Sequence, residues 1–414
     1  NAEANVSYRL RDEEYENAST YRISSASLNV DDGPAKGVFK SNVTASDVIL
    51  KRTIDSEGKS SWQSQGWSAT GALDIEAEGL DIRAEANVSY QLRDEEYENA
   101  STYRISSASL NVDNGPAKGV FKSNVTASDV VLKRTTDSDG NSSWQAQSWK
   151  ANGTLQIKSN EIKAEATADV MYKHVDTQYN NQSTYKLSSA KIELNKDLQE
   201  NLFGSDAEIS FTNIIIASRA KQKQDSESTG LSQQITDNRN SLLKTSLSSD
   251  QSNQEVEFYP LSWSATGKLA INTAGGIKAT AEATVDYRSV DSNYSNEPTY
   301  TISTATLSGN SSSGLFQSDV TANNIVLKRT RDKSGEFHWQ EQSWSAIGQI
   351  QFDQDGVNVN SEASIDYQLD PDTGKHTYTI SSASLQSAIF GNTKVAASNI
   401  VLSKEADAEK YTLE

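Results

Sequence analysis

AEANVSYRLRDEEYENASTYRISSASLNV occupies residues 2–30 and returns at 84–112 as AEANVSYQLRDEEYENASTYRISSASLNV. The period is 82 residues, and residues 2–71 differ from 84–153 at only ten of seventy positions. Such closeness within one chain marks tandem duplication, and a fixed period of this kind decides the fold before any local propensity does. Three weaker copies follow. A tyrosine tracks all five units at Tyr8, Tyr90, Tyr172, Tyr287 and Tyr367, and a tryptophan recurs at Trp67, Trp149, Trp263 and Trp344. We take these nine aromatics as structural anchors.

A half-period of about 41 residues runs inside each unit. Set over one another with that shift, residues 90–106 and 131–147 place Arg93 on Arg134, Thr102 on Ser143 and Tyr103 on Trp144. Each half is a strand ending in charge, a polar turn, and a strand opening with an aromatic, which is the pattern of a β-hairpin. The turns agree. Asp353-Gln354-Asp355-Gly356, Asp370-Pro371-Asp372-Thr373-Gly374, Asp137-Ser138-Asp139-Gly140 and Thr273-Ala274-Gly275-Gly276 all carry glycine late in a short polar loop. Glycine there accepts the positive φ needed where a type I turn enters a bulge. These turns favour an antiparallel meander over a parallel solenoid.

Strand faces follow from alternation. Ile82, Ala84, Ala86, Val88, Tyr90 and Leu92 share one face, and Trp67, Ala69, Gly71, Leu73, Ile75 and Ala77 share another. Two strands change phase midway: Tyr103 and Ile105 are odd where Ala108 and Leu110 are even, and Phe121, Val125 and Ala127 are odd where Val130 and Leu132 are even. A β-bulge in each would restore a continuous apolar face.

The expected fold is therefore all-β, a long antiparallel meander of about 19–20 strands, two β-hairpins per repeat, curled or folded on itself because open sheets rarely exceed about ten strands. Repeat 1 spans 1–61 and lacks its first strand; repeat 2 spans 62–143, repeat 3 144–257, repeat 4 258–338 and repeat 5 339–414. Repeat 3 contains a polar insertion at about 218–258, expected as a solvated or binding loop with a short helix near Gln233–Leu243.

Composition narrows function. With 38 basic and 56 acidic residues the net charge is −18, which argues against nucleic acid or an anionic membrane surface as partner. There is no cysteine, hence no disulfide or thiol nucleophile, and no apolar run approaches the roughly 18 residues of a transmembrane helix. The three histidines, His174, His338 and His376, are scattered near strand ends or turns and assemble neither a nucleophile–base triad nor a zinc set. The acidic runs Asp12-Glu13-Glu14 and Asp94-Glu95-Glu96 are expected in hairpin turns, hydrated and ordinary. No catalytic residue is assigned and the chain is expected not to be an enzyme.

Calcium is the cofactor the turns could hold. Asp137, Asp139 and Asn141, and Asp370 with Asp372, resemble the start of an oxygen-ligand loop, although the position twelve residues along from Asp137 is Ser148, not the bidentate glutamate of an EF-hand. Tyr97, Tyr103, Trp144 and Trp149 flank turns, where they could stack sugars or pin cross-strand register.

The function expected from these features is that of a non-enzymatic, extracellular or cell-surface structural or adhesive tandem-repeat protein. It would self-associate, forming fibres by edge-strand pairing, with surface glycans or another cell-surface protein as further partners. Composition and repetition are similar to those of bacterial tandem-repeat surface proteins, a likeness of architecture alone. Two alternatives use the same alternation: an outer-membrane β-barrel of about 20 strands, and a folded-over sheet with a lipid-binding groove.

Overall fold

The alternation that marks residues 60–94 has a direct structural outcome. In the strand Ser60–Ala72 the residues Trp67 and Ala69 are buried, and in Glu85–Asp94 so are Ala86, Val88 and Tyr90, while Thr70, Asn87 and Gln91 stay outside. The two strands run antiparallel with Trp67 opposite Tyr90, Ala69 opposite Val88 and Gly71 opposite Ala86. This computed structural model describes residues 5–15, 18–31, 33–77, 79–82, 85–136, 138, 142–159, 161–188, 190, 192–204, 207–220, 256–309, 316–331, 336–354, 357–387, 394–405 and 412–413. The fold is nearly all β, an antiparallel meander of about 19–22 strands once short continuations are merged. By contacts the chain divides into two compact units: Asn1–Ser159, Ala164–Lys186 and Ala217–Tyr259 form one, and Asn160–Lys163, Leu187–Ile216 and Pro260–Glu414 the other.

In the first unit, successive hairpins add Val6–Asp12, Ala18–Leu28, Val43–Ile54, Ser60–Ala72, Glu85–Asp94, Ala100–Leu110, Val125–Thr136 and Ser142–Thr154 in chain order. Of the two expected bulges, one is registered, in Val125–Thr136 against Ser142–Thr154. Ala100–Leu110 and Val125–Thr136 pair as Ile105↔Val130 and Ser107↔Ser128 in one unbroken register, so both change face at the same level, Ser106 against Asp129. Asp129 takes φ 50° to do so. Against Ser142–Thr154 the register shifts on either side of Ser148.

The apolar face is covered by segments whose role sequence alone does not disclose. Between Ala18–Leu28 and Val43–Ile54 the chain makes a 3-10 turn at Gly33–Ala35 and lays Ala35, Val38 and Phe39 into the core. Phe39 bridges to Leu73 and stands 6.0 Å from the Trp67 ring; Phe121 repeats this with Leu155 and, at 6.2 Å, with Trp149. A Cβ on Gly71 would fall 2.6 Å from Val43 Cγ1 and 3.1 Å from the Phe39 ring, so the strand needs glycine here to admit the phenylalanine.

In the second unit Trp263 lies opposite Tyr287 and Trp344 opposite Tyr367, with Ala346 and Gly348 continuing inward against Ile365 and Ala363. A short helix, Lys196–Leu202, which the sequence reading does not anticipate, is capped by Asn195 Oδ1, which accepts from Leu198 N–H at 2.7 Å. It buries Leu198 and Leu202, and Trp339 Nε1 donates to Asn201 O at 3.1 Å. Residues 221–255, most of the insertion and all of its expected helix, lie outside the described residues.

Candidate functional site

The anchors form stacked clusters. Trp67 stacks on Tyr90 at 5.5 Å, Trp149 on Tyr172 at 5.3 Å, Trp263 on Tyr287 at 5.3 Å and Trp344 on Tyr367 at 5.2 Å. All eight rings are buried. A second tyrosine leans on each pair, and in the first unit a preceding loop caps it: Tyr103 donates to Pro34 O at 2.8 Å and Tyr185 to Pro116 O at 2.7 Å. Desolvation is the main reason the phenols of Tyr90, Tyr103, Tyr185, Tyr287 and Tyr300 are held above their ordinary value.

Tyr8 is the ninth anchor and stands apart. Val6–Asp12 is registered on Ala18–Leu28 alone among the described residues, Tyr8 opposite Tyr21. Val6 is 60% exposed, Tyr8 50% and Leu10 67%, and the ring series Tyr8–Tyr21–Trp62, spaced 4.8 and 4.9 Å, lies beside them with Trp62 also exposed. The residues are those of the buried strand Glu85–Asp94, where Val88 and Tyr90 are 0% and 7% exposed. What differs is the cover, because Trp67 and the Pro34 turn lie over Tyr90 and Tyr103.

The polar face carries shallow grooves. In the first unit one of about 750 Å³ is lined by Glu96, Tyr97, Arg104, Asp129, Lys150 and Lys173, among others. Tyr97 and Tyr103 flank one turn yet go to opposite faces: Tyr103 enters the core, while the Tyr97 hydroxyl lies 3.0 Å from Ser148 Oγ on the polar side. In the second unit Tyr294 makes the same contact with Ser343 at 2.7 Å, in a groove of about 340 Å³.

The acidic turns require a correction. Asp12 and Asp94 are buried, because each closes its own hairpin loop: Asp94 Oδ1 accepts from Glu96 N–H at 3.2 Å and Oδ2 from Thr102 Oγ1 at 2.7 Å, and Asp12 accepts from Thr20 in the same way. Asp176 and Asp291 take identical partners in Thr184 and Thr299. Glu13 and Glu95 remain exposed. The signal was present as Asp and Thr eight residues apart in each loop.

Of the calcium candidates, Asp137, Asp139 and Asn141 lie outside the described residues. Asp370 turns its carboxylate onto the N–H groups of Asp372 and Thr373 at 2.9 and 3.2 Å, bonds that hold it below its ordinary value, and Asp372 sits in the same turn. Among the described residues no three His, Cys, Asp or Glu side chains gather as a metal site. His174 and His376 are not plain turn residues. Each lies about 3 Å from an anchor phenol, Tyr172 at 3.1 Å and Tyr367 at 3.0 Å, and burial first, then Lys133 or Lys404, pushes them below 6.5. No helix among the described residues is long and apolar enough to cross a membrane.

No protein-family model matches this chain, and no curated protein or solved structure is significantly similar to it.

Proposed function

We propose that this chain is a non-enzymatic, extracellular structural or adhesive repeat protein that self-associates by edge-strand pairing. The observation that carries this reading is the repetition itself: residues 2–30 and 84–112 differ only at Arg9 and Gln91, and the same buried Trp–Tyr stack recurs four times along the chain. Duplication of units multiplies contacts without new chemistry. Acidity and the lack of cysteine suit a solvated surface protein. The polar-face grooves at Tyr97 and Tyr294 offer repeated hydroxyl and charged side chains on which surface glycans could rest.

The barrel and lipid-groove readings draw less support. They need the apolar face to meet lipid, whereas Phe39, Phe121 and their turns lie over that face in the first unit, as Phe316 does beside Trp344 in the second. Sedimentation velocity and electron microscopy across a concentration series, without detergent, test the assembly reading. Species should grow with concentration. Compact monomers at every concentration would remove the reading.

A further inference from the structure

Cations gather at one place on the polar face of the first unit, and comparison among the repeats sets that place apart. The strands Ser142–Thr154 and Thr167–Asp176 pair with Ser148 opposite Lys173 and Lys150 opposite Met171. These four alternate with the buried Trp149 and Tyr172 and so face outward. One repeat earlier the same places hold Gly66, Ser68, Ser89 and Gln91. In the second unit they hold Ser262, Ser264, Asp286 and Arg288, and then Ser343, Ser345, Asp366 and Gln368. Of the four quartets, the one at Ser148 alone carries two lysines and no acid. The inward neighbours do not vary in this way, since Trp67, Ala69 and Gly71 recur as Trp149, Ala151 and Gly153. The core is held constant while the chemistry of the outward face changes.

The two lysines line the groove of about 750 Å³, a size within the roughly 300–1,000 Å³ of small-ligand sites. As diagonal neighbours across an antiparallel pair, their backbones stand about 7–8 Å apart. The other charges of the groove neutralise one another. Arg104 holds Asp94 and Glu96, each at 3.0 Å, and Lys150 holds Asp129 at 3.0 Å. Lys173 makes no ion pair among the described residues, so a chain of net charge −18 presents here a spare cation beside a second one. Ser89 and Ser106 add hydroxyls that both donate and accept. Met171, 45% exposed, and the Tyr97 ring add apolar surface, the ring fixed by its contact with Ser148 Oγ and by the Arg104 guanidinium 5.7 Å from its centre.

We propose that this groove binds an acidic saccharide, its carboxylate taken by the Lys150 and Lys173 ammonium groups, its hydroxyls by Ser89 and Ser106, and its C–H face by Met171 and Tyr97. An ammonium group is a strong partner for a carboxylate, and Lys173 has no protein anion to displace. A site for a bare anion needs neither hydroxyls nor apolar surface beside the lysines; a saccharide uses all three. This deepens the adhesive reading and rests on it, in that it names what the polar-face groove would hold.

Isothermal titration of the intact chain with tri-galacturonate, and separately with sialyllactose, tests the assignment, because the carboxylate could belong to a uronic or a sialic acid. Saturable binding of at least one is expected, and the one that binds identifies the acid. Methyl esterification of that saccharide should weaken binding about tenfold or more, as loss of a charge-assisted hydrogen bond does. So should Lys150→Ser together with Lys173→Gln, which gives these places the side chains that the preceding repeat carries at Ser68 and Gln91. An unchanged circular dichroism melt would show that this variant still folds. No saturable binding of either saccharide overturns the proposal, as does equal binding by the ester or by the double variant. Tetraglutamate binding as tightly as the saccharide overturns it too, since the groove would then read charge alone. A chain that binds the saccharide yet sediments as a monomer keeps this inference and removes self-assembly; one that assembles but binds neither saccharide does the reverse.

Discussion

Four tryptophans hold the same place in their strands, but their indole N–H groups fare differently. Those of Trp67, Trp149 and Trp263 are buried without a hydrogen-bond partner, whereas Trp344 donates to Glu341 Oε2 at 3.3 Å. The residue three positions earlier decides this: it is Ser64, Ala146 and Pro260 in the first three and glutamate in the last. Glu341 also accepts from Thr273 Oγ1 and from Ile277 N–H, and Gly275 packs so close that no Cβ would fit beside the carboxylate. Desolvation nevertheless dominates and raises its pKa above the ordinary 4.5, the three hydrogen bonds offsetting part of the effect. A raised carboxyl binds its proton more tightly folded than unfolded. Its stabilising contribution is therefore complete below about pH 4.5 and is lost as pH rises through the folded value. Melting temperatures of the wild-type chain and of Glu341→Gln, taken in parallel from pH 4.5 to 7, isolate this one group. The wild type should lose ground to the variant as pH rises; a constant difference would mean that the carboxylate is hydrated in the folded state.

At the scale of the strand, the recurring device is a single residue in the left-handed region. Asp47 and Asp129 in the first unit, and Asn213, Asn324 and Asn399 in the second, sit at φ between 50° and 53°. Asx side chains tolerate this conformation better than other non-glycine residues do, and β-branched residues tolerate it least. The side chain of Asp129 also lies 3.0 Å from Lys150 Nζ, but both groups are more than half exposed, where an ion pair contributes little. Conformation, then, and not charge, should govern the site. Asp129→Asn should leave stability within about 0.5 kcal/mol. Asp129→Val should cost about 1–2 kcal/mol or more by denaturant titration. Equal losses from both would assign the effect to the ion pair. The phase change at this level was legible in sequence, since Ala127 and Val130 cannot share a face without an irregularity between them. Which pair of strands takes the register shift was not, because it falls between Val125–Thr136 and Ser142–Thr154, while Ala100–Leu110 keeps its register on Val125–Thr136. The loop cover was hidden for another reason: Gly-Pro-Ala-Lys-Gly has turn chemistry, and nothing local says that the following Val38 and Phe39 dive inward. The burial of Asp94 escaped for a similar cause, since its partner Thr102 is eight residues away.

For the molecule as a whole, the exposed edge teaches the limit of residue-by-residue reading. Tyr8 and Tyr90 have the same six residues before them and, apart from Arg9 against Gln91, the same twenty-two after, yet one is half exposed and the other 7%. Burial is fixed here by which strand lies alongside, a property that no window centred on the residue contains. The same scale sets the conditions for association. A net charge of −18 makes copies of this chain repel one another at long range, while the proposed contact is apolar and acts at short range. Added salt should weaken the first and spare the second. Between about 0.01 M and about 0.15 M ionic strength the screening length falls from about 30 Å to about 8 Å. At fixed protein concentration the weight-average sedimentation coefficient should therefore rise over that range. A coefficient that falls with salt would mean that copies are joined by ion pairs, and the apolar account of association would fail.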